Sequence, residues 1–312
     1  MKDYDFYQLM QEQEIGKRKS SAESTADLYR AVRNRLKTYC RGKRLTLRSV
    51  TPQLIFGFKA SLEMEKLSTN TVNSYISNFR AMYNRAVMQS GLRRADNPFK
   101  GIRLRYEKTA KRSIPLIAVE RMAELDLSEY PDLQVAADMA LFSFMACGMP
   151  FVDLVGLTGK NISKERKYVS YRRKKTKALI QVEMCPGMER IVSRYRKAGS
   201  DLLFPILPAD AGHEVYKAYL SSYNRHLKKI GNMLGLSEPL TSYVFRHSWA
   251  SAAYRSDMRI GMISQALGHS TEQMTRNYLS RLDPEEIAMA NHRVIGKIEA
   301  FVRRGKVPLF IK

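Results

Sequence analysis

One interruption constrains the fold of this chain more than any other feature. The stretch ADNPFKGIRLRYEKTAKRSIPL, residues 95–116, carries Pro98, Gly101 and a cluster of cations. It has no apolar periodicity, so neither a helix nor a strand is expected to run through it. The chain is therefore expected to divide into a helical domain over residues 1–102, a basic linker over 103–114 and a second domain over 115–312. Before the break, residues 21–39, 51–66 and 70–91 have helical spacing. Thr51-Pro52 and Ser68-Thr69-Asn70 read as helix starts, and Gly91 reads as a stop. After it, helices are expected over 116–127 and 133–147. Two short strands follow, at 168–171 and 179–182, about a basic turn. Further helices are expected over 187–197, 215–234, 241–255, 260–267, 271–280 and 284–302. Ser270 and Gln273 read as a capping box for the helix over 271–280. The fold class is mainly α with a small β-sheet. Hydrophobic residues make up 44% of the chain, enough for a core.

Charge narrows the partner. Lys and Arg number 53 against 30 Asp and Glu, a formal +23, which implies a polyanion. No acid occurs between Asp27 and Glu63. Arg30, Arg33, Lys37, Arg41, Arg44 and Arg48 recur every three or four residues there and would share one face of a continuous helix. A face of one sign suits a phosphate backbone. A membrane surface fits less well, because the opposite face has no strong apolar stripe. No apolar run is long enough to span a bilayer. The start, MKDYDFYQLMQEQE, is polar and acidic and does not read as a signal peptide. Cys40, Cys147 and Cys185 lie far apart, with neither a disulfide framework nor a zinc spacing. They fit a reducing cytosol.

Three stretches carry chemistry when taken in order. PLTSYVFRHSWASAAYRS holds Arg246-His247 on a helix expected to start at Thr241. About twenty residues later comes Leu267-Gly268-His269, in LGHSTEQMTRNYLS, and Tyr278 follows nine beyond His269. This series resembles the second signature box of the tyrosine recombinase (phage integrase) family. CGMPFVDLVGL, residues 147–157, resembles its first box, G-(Leu or Met)-Arg-x-x-(Glu or Asp)-Leu. KKTKALIQV resembles the strand pair that carries the family's lysine. The resemblance covers essentially the whole chain, and the basic first hundred residues correspond to the family's core-binding domain. The architecture it implies is a helical core-binding domain followed by an α+β catalytic domain.

The resemblance implies a role for each matching residue. Tyr278 would attack a DNA phosphate, leaving a 3′-phosphotyrosine and a free 5′-hydroxyl. Arg246 would hold the non-bridging oxygens. His269 would donate a hydrogen bond or handle a proton beside them, and Lys175 would protonate the leaving 5′-oxygen. Asp153 would be the supporting acid of the first box. Energy stays in the phosphotyrosine bond, so no cofactor is needed. No Gly-rich phosphate loop and no acidic metal cluster stands out.

Two positions depart from the family pattern. Pro150 stands where the first box has arginine, and Tyr243 stands where the family usually has histidine. Tyr243 can still donate or accept a hydrogen bond. In an extended strand Arg173 and Lys175 point to one face, so Arg173 could replace the missing arginine. Contact with DNA backbone alone is an equal reading for Arg172 and Arg173. In mobile-element and DNA-inversion subgroups the first box is similar to this one. His247, His213, His226 and His292 read as structural or surface residues, and Cys147 as core.

The leading expectation is a site-specific DNA recombinase performing inversion, integration or excision. It would clamp double-stranded DNA between its domains, as a monomer or dimer when free and a tetramer in the synaptic complex. Accessory DNA-bending proteins belong to the same picture, as does a prokaryotic cytoplasmic, nucleoid-associated location. Residues 284–302 and the apolar tail 307–311 could dock on a neighbouring subunit or on their own domain. A non-catalytic DNA-binding regulator or architectural protein is the alternative. A type IB topoisomerase is a third.

Overall fold

The computed structural model describes residues 4–92, 96–107, 112–196, 199–208, 211–276, 279 and 291. Two compact units are present, Met1–Thr109 and Ala110–Lys312.

The first unit is built from α1 (Phe6–Lys19), α2 (Glu23–Tyr39), α3 (Pro52–Met64) and α4 (Thr69–Ser90). Side-chain caps set three of the starts. Asp5 accepts from the backbone N–H of Gln8, Thr51 from that of Leu54 and Ser68 from that of Thr71. Pro52 fits the first turn of α3, where no backbone donor is needed. Gly91 ends α4 at φ +65°, a conformation that a side chain disfavours. The core joins Phe6 and Met10 of α1, Val32 and Leu36 of α2, Ile55 and Phe58 of α3, and Ile76 and Phe79 of α4. The helix α1 has no counterpart in the sequence reading.

Residues 102–107 lie along α4, although residues 103–107 read from sequence as the start of the linker. Arg80 donates to the Ile102 carbonyl (2.8 Å), Asn73 to that of Arg105 (2.8 Å) and Asn70 to that of Glu107 (2.8 Å). Asn70 Oδ1 also accepts from the Glu107 N–H. Side chains of one helix thus satisfy backbone groups of a segment that has no secondary structure of its own.

The second unit contains α5 (Leu116–Glu124), α6 (Pro131–Met145), α7 (Phe151–Leu154), β1 (Tyr168–Arg172) and β2 (Leu179–Glu183). They are followed by α8 (Pro186–Tyr195), α9 (His213–Met233), α10 (Ser242–Arg255), α11 (Ile260–Leu267) and α12 (Glu272–Arg276). The buried helix α6 is apolar nearly all round and packs on α5, α8, α9 and α10. The two strands pair antiparallel, with Tyr171 opposite Ile180 and Val169 opposite Val182. Those four residues form the buried face, and β2 packs on α11. A lone hairpin is marginal in water, so this packing holds it.

The start of α12 differs from the expected capping box. Thr271 Oγ1 accepts from the Met274 N–H, one residue later than Ser270 would, and the Ser270 hydroxyl lies against the Met274 sulfur. Tyr278 and the segments 284–290 and 292–312, where a C-terminal helix and apolar tail are expected, lie outside the described residues. His292 does too.

Candidate active site

The site is assembled around one carbonyl. Leu267 ends α11, and the last carbonyls of a helix have no partner within it and carry the negative end of its dipole. Two guanidiniums from separate segments donate to the Leu267 oxygen, one from Arg173 after β1 and one from Arg246 in α10. Both side chains are buried, Arg246 at 1% exposure and Arg173 at 6%.

Each arginine is anchored a second time. Arg246 Nη1 donates to the Gly148 carbonyl at 2.9 Å. Arg173 Nε lies 2.8 Å from the Asp153 carboxylate, which also accepts from the Lys174 N–H. Asp153 sits in α7, immediately after Pro150. Position 150 therefore contributes no cation, while the acid three residues later holds a guanidinium from the hairpin. Two buried positive charges face one buried negative charge. The balance is a fixed positive field in a low-dielectric setting, which favours an anion with oxygens to share.

Two glycines make this packing possible. Gly148 has φ +69°, and a Cβ there would sit 2.7 Å from the Arg246 Cα. Gly268 has φ +64°, and a Cβ there would meet Ile180 Cδ1 at 2.9 Å and Arg173 Cγ at 3.1 Å. Only glycine avoids both the left-handed strain and the collision.

His269 lies beside the arginines, with Nε2 3.2 Å from Arg246 Nη2 and Nδ1 3.0 Å from Thr275 Oγ1. Partial burial, then the cations Arg246, Arg173 and Lys175, push its pKa down to about 4. The imidazole is neutral at physiological pH and can accept a proton. Burial moves the Cys147 thiol the other way, up to about 11, so it is no thiolate nucleophile at neutral pH.

The remaining predicted residues are placed as follows. Lys175 is exposed, in the turn between the strands. That turn is closed by Arg173 N–H to Ala178 carbonyl and Lys177 N–H to Arg173 carbonyl bonds, with Lys177 at φ +61°. Arg173 and Lys175 therefore do not share a strand face, because β1 ends at Arg172. The turn is tied to the histidine segment, since Thr176 Oγ1 donates to the Gly268 carbonyl at 3.0 Å. Arg172 is exposed on the outer side. Tyr243 is 46% exposed, its ring edge-on to that of His247. The sequence reading placed Leu267, Gly148 and Thr176 inside matching motifs but gave them no role, and Leu267 and Gly148 contribute backbone carbonyls here; it did not single out Thr275.

In the first unit the continuous basic helix does not form. The helix α2 ends at Tyr39, and Arg41 takes φ +51°. Arg33 turns towards Glu14 of α1 (2.9 Å), and Arg30 pairs with Asp27 (3.3 Å). Lys37, near the Tyr7 ring, is exposed with Arg41, Lys43, Arg44 and Arg48. The end of α2 and the loop after it form an exposed basic group.

Residues 5–102 match the phage integrase SAM-like domain, and residues 121–285 match the phage integrase family. A tyrosine recombinase of Pseudothermotoga lettingae is 23% identical over 241 residues, 75% of this chain and 78% of that one. Tyrosine recombinase XerC of Rickettsia prowazekii is 27% identical over 165 residues, and the chain spans about half of that relative's length (52%). The solved structure of the Tn1549 transposon integrase with a circular intermediate DNA is similar in fold. Its TM-score is 0.67 at 17% identity, over 93% of this chain and 99% of that one.

Proposed function

The chain belongs to the phage integrase family, the tyrosine recombinases, and from that premise we propose that it cuts and rejoins duplex DNA at specific sites through Tyr278. The observation that carries this reading is the meeting of Arg173 and Arg246 on one carbonyl, with His269 alongside. An incoming phosphate would take over the guanidinium donors, one non-bridging oxygen to each arginine. Their charge would stabilise the extra negative charge of the five-coordinate transition state.

Tyr278 forms the new P–O bond with its phenolic oxygen, and the P–O5′ bond breaks. The phenol, with an ordinary pKa near ~10, must lose its proton. The neutral His269 can take it. Lys175 gives a proton to the departing 5′-oxygen. Attack by a 5′-hydroxyl from a second strand reverses these steps and releases the tyrosine. Asp153 holds Arg173, whose guanidinium replaces the one that position 150 lacks.

The exposed cations from Lys37 to Arg48 contact the backbone of the same duplex, and Arg172 contacts it near the cut. Tyr243 borders the phosphate. Four protomers act on two sites, with accessory DNA-bending proteins where the site requires them, in the cytoplasm on nucleoid DNA. The test is a nicked duplex taken from the DNA flanking the gene. Wild-type protein should form a covalent adduct, and Tyr278→Phe should bind equally but form none. Equal binding with no adduct from wild-type protein on any flanking duplex would favour a DNA-binding regulator instead.

A further inference from the structure

Thr275 has no part in the proposed chemistry, yet it is fully buried and touches the neutral imidazole of His269. It lies in α12, and its Oγ1 is 3.0 Å from His269 Nδ1. The other ring nitrogen, Nε2, faces Arg246 Nη2 at 3.2 Å. A guanidinium has donors and no acceptor, so Nε2 must bring a lone pair to that contact. The proton of the neutral ring then resides on Nδ1, where the Thr275 oxygen accepts it. A third bond fixes the residue from behind, since the His269 N–H donates to the Ser264 carbonyl at 3.0 Å.

We infer that Thr275 is a positioning residue that holds His269 as its Nδ1–H tautomer, with the Nε2 lone pair turned to the arginines. The role rests on the reading of His269 as the acceptor of the Tyr278 proton. A base can take that proton only through a nitrogen bearing a lone pair on the phosphate side. The opposite tautomer would set an Nε2–H against the Arg246 donors. Without the threonine hydroxyl, the Nδ1–H would lie in a partly buried place with its acceptor gone. The ring is then no longer held to one tautomer or to its place beside Arg246. Thr275 also precedes Tyr278 by three residues, so one short segment carries both the histidine clamp and the proposed nucleophile.

The inference is tested on the full-length protein by nitrogen NMR of labelled histidine, assigned by comparison with His269→Ala, together with single-turnover cleavage at saturating protein. Wild-type protein should show His269 protonated at Nδ1 and bare at Nε2. Thr275→Val, close in shape, should abolish that pattern and lower cleavage on the order of a hundredfold, the usual scale for a misplaced group. DNA affinity should stay the same. Thr275→Ser should restore both the spectrum and the rate. A wild-type His269 protonated at Nε2, or a Thr275→Val protein with the wild-type pattern, overturns the inference even if that variant folds poorly. The spectrum does not depend on activity, so it separates this idea from the reading beneath it. That reading fails instead if His269→Ala cleaves at the wild-type rate.

Discussion

Removing the Arg173 guanidinium should damage the protein in two separable ways. The side chain is 7% exposed and its partner carboxylate, on Asp153, 1%. Arg173→Ala strands that carboxylate with the Lys174 N–H as its remaining donor among the described residues. Breaking a buried pair from one side costs about 3–5 kcal/mol. A typical domain holds only about 5–15 kcal/mol in all. The second effect is chemical. Loss of one of two donors to a reacting phosphate costs on the order of ~3 kcal/mol, or a hundredfold or more in rate. The double variant Arg173→Ala with Asp153→Asn separates the two, because it removes the stranded charge without returning a guanidinium. Urea unfolding should show much of the lost stability recovered. Single-turnover cleavage at saturating protein should stay about a hundredfold low. Arg172→Ala should weaken binding and cleave normally once bound. If the folded double variant cleaves at the wild-type rate, Arg173 does not serve the phosphate and the replacement of the missing arginine is wrong.

Three other outcomes follow from the geometry. Gly148→Ala meets both left-handed strain and the Arg246 backbone at 2.7 Å, so it should lose about 1–3 kcal/mol of stability in urea unfolding and most of its cleavage. Arg41→Ala with Arg44→Ala should flatten the log–log dependence of DNA affinity on salt by roughly 0.9 for each phosphate no longer neutralised, measured by titration at several salt concentrations; an unchanged slope would place the DNA-binding surface elsewhere. His269 should stay neutral down to about pH 4, against 6.5 for the free side chain. The unfolded chain therefore takes up a proton first. The His269 contribution to stability is full above about 6.5, falls as the pH drops and levels off below about 4, and His269→Ala should remove that portion of the pH dependence.

Much of the architecture was legible because its signals are local. Thr51 and Ser68 mark helix starts through bonds within one turn, Gly91 marks an end through its left-handed backbone, and Val169, Tyr171, Ile180 and Val182 alternate as a half-buried hairpin must. The motif order set Arg246 and His269 close together in the reading of the chain, and the structure brings their side chains within 3.2 Å. What stayed hidden depends on interactions between distant segments. The acid-free window after Asp27 suggested a one-sided basic helix, but Glu14 of α1 reaches Arg33, and Glu65, after α3, pairs with Arg35. Arg173 was singled out by the strand-face argument, which fails because the hairpin turns at that point. Its burial against Asp153 and Leu267 needs the folded chain. Leu267 and Gly148 fall inside the matching motifs, yet they contribute carbonyls, which every residue has, so side-chain chemistry could not assign them a role.

The central claim is tested most directly by trapping the protein on a nicked duplex, digesting the adduct and locating the modified residue by mass spectrometry. The account predicts a single modified tyrosine, Tyr278, joined to the 3′-phosphate of the cut strand, with a free 5′-hydroxyl on the other fragment. A phosphate on any other residue, a 5′-linked adduct, or strand cleavage with no protein attached would contradict it.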